Sequence, residues 1–199
     1  VQAGMGCGSG PSLRDLAVLL RGAGPMNAMP QELVSDAVTG CLEACRRCEA
    51  VVDAVIDQDL AAFPSVGPHL RHCVDHFRLL LDGWRSGSVD YDARPRDLRL
   101  EQDPRAVRDA LAAIAGSLAD LTSADLSRGL TVIQSAAPGR PPLSSPSRLE
   151  RELVVLSGHT IHHIAIMRLA ARAAGVEIPS RLAVAYSTEA HRESLAMNR

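Results

Sequence analysis

Lysine is absent from this chain. All 21 basic residues are arginine, which reads as a bias of composition and not as a physical design. Aromatic residues make up only 3% of the sequence, and the formal net charge is −2. A nucleic-acid binder needs a basic surface for phosphates and aromatic rings for stacking bases, so no nucleic-acid partner is expected. No apolar run approaches the ~18 residues needed to span a bilayer, and no membrane partner is expected either. The opening stretch VQAGMGCGSGPS has neither a basic nor an apolar segment before Cys7, so it does not read as a secretory signal. Five cysteines are an odd number without a disulfide-framework spacing, which points to reduced thiols in a cytoplasm. What remains is enough for one core: 199 residues, 46% of them hydrophobic, predict a single main domain.

Residues 1–29 are rich in Gly and Pro, and only SLRDLAVLLRG (12–22) could form a short helix there. We therefore expect a flexible arm over 1–29 and a folded domain over 30–199. After Pro30, apolar residues recur at three- and four-residue steps from Leu33 through Val38, Cys41, Cys45, Cys48 and Val52 to about Ile56, the period of an amphipathic helix. FPSVGP (63–68) breaks it. A second helix carries Leu70, Val74, Phe77, Leu80, Leu81 and Trp84 and stops near Gly87. Asp103 before Pro104 predicts a capped start for a third helix, with Val107, Leu111, Ile114 and Leu118 on its buried side. Residues 127–147 read as a long connection whose prolines forbid a helix, either a crossover or a cover for a site. Ser147 and Glu150 predict a capping box opening a fourth helix, which runs to Gly175. With no convincing strand run, the expected fold is all-α: an up-down four-helix bundle with long connections.

Six of the seven histidines lie in two short windows, PHLRHCVDHF (68–77) and GHTIHHIAIM (158–167). At ~100° per residue, His69, His72 and His76 form one stripe of the second helix. His159 and His163 share a face of the fourth, with His162 displaced from them. A lone histidine on an apolar face is usually a core residue satisfied by one hydrogen bond. Two clusters on two core-facing helices are different, because each unsatisfied buried ring would cost ~1–3 kcal/mol. A metal ion engages the ring nitrogens together, and bundles build such sites from facing helices.

The segment SVGPHLRH (65–72), followed by HTIHH (159–163), resembles the DinB-like (YfiT-related) metalloprotein superfamily over roughly residues 30–190. That resemblance implies a four-helix bundle with a three-histidine site. Matched position by position, the ligands are His72 from the second helix and the pair His159 and His163 from the fourth. His69 and His76 share the stripe of His72, so the choice on the second helix stays open, with His76 next in line. Three neutral nitrogen ligands leave a coordination position free for water or substrate. The divalent ion would act there as a Lewis acid. Imidazole suits zinc, nickel and iron alike; zinc is the default and nickel the alternative in this superfamily. The implied activity is a metal-dependent hydrolase or thiol S-transferase acting on a small molecule, with a low-molecular-weight thiol as partner. The competing expectation is a non-catalytic or stress-associated module in which the ion is structural. Self-association as a homodimer through a helix face is expected by analogy with four-helix proteins of this kind.

Other residues carry weaker expectations. Asp75 is expected on the solvent face, with a role orienting a ligand ring as the alternative. Glu152 is expected at the surface or in a cap, with general-base chemistry as the alternative. Cys41, Cys45 and Cys48 continue the apolar stripe and are expected to pack as small hydrophobes, with Cys48 as a fourth ligand or a redox partner left open. Cys73 reads as packing. The charged stretch VDYDARPRD (89–97) is expected to be a solvated loop, its arginines alternatively recognising an anionic substrate. Tyr186 and His191 could fold back towards the site, though nothing in their spacing demands it.

Overall fold

The computed structural model describes residues 35–198. The arm predicted over 1–29, its short helix and Cys7 lie outside them. Four long helices carry the described chain: α1 (Asp36–Gln58), α2 (Gly67–Gly83), α3 (Pro104–Ala119) and α4 (Leu149–Ala173). A polar fifth helix, α5 (Tyr186–Met197), follows. Two starts are set by local chemistry. The Ser35 hydroxyl accepts from the amide of Ala37 at 3.2 Å and caps α1. Asp103 accepts from the amide of Arg105 at 2.9 Å, and Pro104 occupies the first turn of α3, as its sequence predicts.

Each of the four helices packs against two others, in the ring α1–α4–α2–α3. Their directions follow from the pairs that meet. Ser35 reaches Glu150, Cys41 reaches the carbonyl of Leu153 and Gln58 reaches that of Glu177, so α1 and α4 run parallel. His72 meets His159 and His69 meets His163, so α2 and α4 run antiparallel. Arg71 near the start of α2 binds Glu101 just before α3, and Asp53 near the end of α1 binds Arg108. Hence α3 runs with α2, and the order is up-down-down-up, not the simple up-down predicted. The end-to-end crossover is the connection between α2 and α3, not the one between α3 and α4. Between the helices lies one apolar core that includes Phe63, Leu70, Phe77, Leu111, Leu153 and Met167. Burying each such side chain contributes about 1.5–3 kcal/mol.

The expectation of a strand-free chain is corrected by a three-stranded sheet: β1 (Ser88–Asp90), β2 (Gly129–Gln134) and β3 (Leu143–Arg148). β1 pairs parallel to β2, with Val89 opposite Val132, and β2 pairs antiparallel to β3, with Leu130 opposite Ser147. Val89, Leu130 and Val132 bury one face of this small sheet. Pro146 is tolerated because β3 is an edge strand, where a missing amide breaks no ladder on the open side. β3 runs directly into α4, so the predicted capping box does not form. The N-cap is Arg148, without a side-chain bond, and the Ser147 hydroxyl donates instead to Glu152 at 2.5 Å. Helix α4 is, among the described residues, long and apolar enough to cross a membrane by length and composition. Here it packs against α1 and α2.

Gly67 opens α2 where the helical turn Arg99–Gln102 crosses it. A Cβ at Gly67 would stand 2.1 Å from the carbonyl oxygen of Glu101, whereas one at Gly116 would meet nothing within 4 Å. Gly67→Ala is therefore expected to destabilise the fold by ~1–3 kcal/mol through overpacking, and Gly116→Ala to stabilise it by up to ~1 kcal/mol through helix propensity. Urea midpoints of the two variants check this; a Gly67→Ala midpoint equal to that of the parent would refute the close crossing.

Candidate metal centre

The antiparallel contact of α2 with α4 turns the two histidine stripes towards each other. His72 Nε2 stands 2.9 Å from His159 Nε2, and one turn further along His69 Nδ1 stands 3.1 Å from His163 Nδ1. His76 Nδ1 lies 2.9 Å from the carbonyl oxygen of His72, one helical turn back. A carbonyl only accepts, so His76 carries its proton on Nδ1 and leaves the Nε2 lone pair free. His72, His76 and His159 each offer a nitrogen, and these atoms all lie within 4.8 Å of one another. These three could hold a metal ion.

Of the three ligands implied by the resemblance, His72 and His159 belong to this group. His163 is adjacent, its ring centroid 4.4 Å from that of His72 and 4.6 Å from that of His159, but its Nδ1 is engaged with His69. His76, next in line on the second helix, completes the group. His162 is exposed.

The electrostatics favour neutral rings. Burial, then the neighbouring histidines and Arg94, push the pKa of His72 down to about 3. Burial is also the first cause that pushes His159 and His163 down to about 4, and it lowers His69 and His76. Neutral imidazoles are what a metal site needs.

The stretch 89–97 is not a merely solvated loop. Arg94 donates to His72 Nδ1 at 2.8 Å. A guanidinium cannot accept, so Nδ1 of His72 is bare and its proton sits on Nε2, shared with His159. Tyr91 is buried, stacks on the ring of His76 with centroids 5.4 Å apart, and donates its hydroxyl to Glu152 at 3.1 Å. Sequence reasoning singled out neither residue; the only signal was a tyrosine and arginines in a charged stretch following the histidine helix.

Two acidic residues correct their expectations. Asp75 is fully buried, because the segment before α3 closes over that side of α2, and Arg71 binds it at 3.0 Å while also binding Glu101. Glu152 is also buried, at 1% exposure, since the sheet folds over the start of α4; it accepts from Tyr91, Ser147 and Arg151. Among the described residues, no carboxylate is hydrogen-bonded to the clustered rings.

Cys41, Cys45 and Cys48 pack in the core as expected, together with Cys73. Burial raises the Cys41 thiol to about 12, and Cys45 is raised for the same reason. Cys48 is raised first by its hydrogen bond with Cys73 and then by burial. None of these three is poised as a thiolate. Tyr186 donates to the carbonyl of Gly40 on α1 at 2.8 Å, away from the histidines, and His191 lies on the exposed α5.

A cavity of about 890 Å³ opens beside the cluster, between the β2–β3 hairpin and α4. His76 and His159 reach its wall, with Tyr91 and Glu152 beside them and Val132 and Leu156 among its apolar lining. Its size suits a small molecule. Compared with known proteins, the chain matches no family model, no curated protein and no solved structure. No family is shown for the chain.

The lowered histidines fix the sign of a pH effect in the metal-free protein. The unfolded chain takes up these protons near pH 6.5, the folded chain only near pH 3–4 for His72, His159 and His163. Between those values the unfolded state binds more protons, so stability falls as pH falls from about 6.5. Urea unfolding in excess chelator should show a lower midpoint at pH 5 than at pH 7.5, with a smaller drop in His159→Gln. An identical drop in that variant would mean that the ring titrates as it does in water.

Proposed function

We propose that this protein binds one divalent metal ion between α2 and α4 on His72, His76 and His159, and that it belongs to the DinB-like metalloproteins as a metal-dependent hydrolase or transferase acting on a small molecule. The observation that carries this reading is the convergence of the three ring nitrogens, two of them on His76 and His159 at the wall of the cavity. An all-nitrogen, neutral donor set suits zinc, nickel or iron and not magnesium or calcium, which take oxygen ligands. When bound, such an ion supplies Lewis-acid polarisation of an oxygen or sulfur atom at its open position.

The chain's own residues do the rest. His76 is oriented by its bond to the His72 carbonyl and by Tyr91 stacked on its ring. Glu152 fixes Tyr91 by accepting the hydrogen bond that its hydroxyl donates. Val132 and Leu156 give the cavity an apolar side that limits water around a bound substrate. A cavity beside the histidines favours a catalytic ion over a purely structural one, which needs a closed ligand shell. Arg94 opposes metal uptake in two ways: it is a cation, and its bond keeps the His72 proton on the ligating side. Binding through His72 Nε2 therefore requires this proton to leave and the Arg94 contact to break.

Elemental analysis of tag-free protein tests the reading. About one tightly held equivalent of zinc, nickel or iron is expected, with affinity reduced at least 100-fold in His72→Ala, His76→Ala and His159→Ala and unchanged in His191→Ala. Arg94→Ala is expected to tighten metal binding about tenfold, a single unit of pKd by the tenfold rule for 1.4 kcal/mol. Absence of metal even after reconstitution would sink the site and the enzymatic reading with it. A bound metal makes screening small electrophiles, with and without low-molecular-weight thiols, the next step.

A further inference from the structure

Two of the facing histidines are left outside the three-histidine group. His69 sits on the first turn of α2, and His163 lies one turn beyond His159 on α4. Their Nδ1 atoms approach to 3.1 Å across the helix interface, with ring centroids 5.3 Å apart and planes tilted by 41°. Two nitrogens bound to one ion at ~2.0–2.1 Å stand roughly 3.1–3.4 Å apart at near-tetrahedral angles. The observed separation falls within that bite. Both rings are only half-buried, so water can complete a coordination shell. The exposed His162 has its ring centroid 5.8 Å from that of His163.

We propose that His69 and His163 form a second metal site, so that the histidine ladder between α2 and α4 holds two divalent ions of the zinc, nickel or iron class. This inference rests on the metal-binding reading above and adds to it a second ion and a role for the two histidines that reading leaves unused. The two nitrogen groups follow one another along the same helix pair, about one helical turn or ~5.4 Å apart. The second site has two protein ligands against three, so it binds more weakly and fills after the first.

Isothermal titration of metal-free, tag-free protein with zinc tests the proposal, with circular dichroism and thermal melts to establish that each variant is folded. Two sequential equivalents are expected for the parent. His69→Gln and His163→Gln should each lose the weaker step and keep the tighter one; His76→Ala should lose the tighter step and keep the weaker. One equivalent in the parent, unaffected by His69→Gln and by His163→Gln, would overturn the second site and leave the three-histidine reading intact. One equivalent abolished by His163→Gln but kept in His69→Gln would overturn it in favour of a single ion on His72, His159 and His163. No binding at all would overturn both readings.

Discussion

Five imidazoles meet along one seam between two antiparallel helices, and the register of those helices depends on how the rings pair. A ring whose N–H lacks an acceptor, or whose lone pair lacks a donor, costs ~1–3 kcal/mol where water cannot reach it, and these rings are half-buried. Here the pairings are made in steps: His69 with His163, His72 with His159, and His76 with the carbonyl of His72. Sliding α2 along α4 by one residue would break both cross-helix pairs together. The apolar residues flanking the seam, such as Leu70 and Phe77 on α2 and Leu156 and Ile164 on α4, supply most of the burial energy. They would tolerate small slips that the histidines do not. The polar seam thus supplies specificity to a contact whose strength comes from its apolar borders.

The charges near the seam are kept from it by partners of their own. Asp75 is tied to Arg71, which also holds Glu101, and Glu152 is surrounded by a phenol, a serine hydroxyl and Arg151. The carboxylates therefore do not orient the histidine rings, as they orient ligand rings in many metal sites. Backbone and neighbouring imidazoles take that task. The charged group that does touch a ring is a guanidinium, and it enforces one tautomer of His72. A seam of neutral nitrogens could hold a metal ion, and the cation at its edge would oppose that ion's entry by charge.

The long helices were legible because their apolar period is clear, and for α3 the Asp103 cap and Pro104 agree with it. The histidine stripes were legible because the helical period fixes which residues share a face. What could not be read was relative placement. The up-down-down-up order depends on the stretch 84–103 crossing the molecule, and its mixed charges carry no periodicity that would say so. The sheet was missed for a related reason. GLTVIQ alternates only over Leu130 and Val132, LSSPSR has no apolar face, and its partner strand β1 is three residues long. Asp75 and Glu152 looked exposed because helix periodicity describes one helix at a time, and it is the crossing segment and the sheet that bury them. For the same reason Tyr91 and Arg94 could not be assigned: they reach the seam only because β1 pairs with a strand some forty positions away.

The hairpin that follows α3 bears on what the seam is for. A bundle needs only a short connection to return from α3 to α4, since both ends lie at the same pole. Instead the chain builds β2 and β3, anchors β1 against them, and so brings Tyr91 onto His76. The result is a wall that stands off α4 and leaves a cavity, where a structural ion would be served better by close packing. Apolar groups line part of that wall, and the Tyr91–Glu152 pair occupies its floor beside two histidines. The extra chain length therefore goes into shaping space next to the nitrogens. Space of that kind, open on one side to solvent and on the other to His76 and His159, stabilises nothing by itself. On the metal-binding reading proposed above, its physical value would lie in admitting a small molecule to the seam.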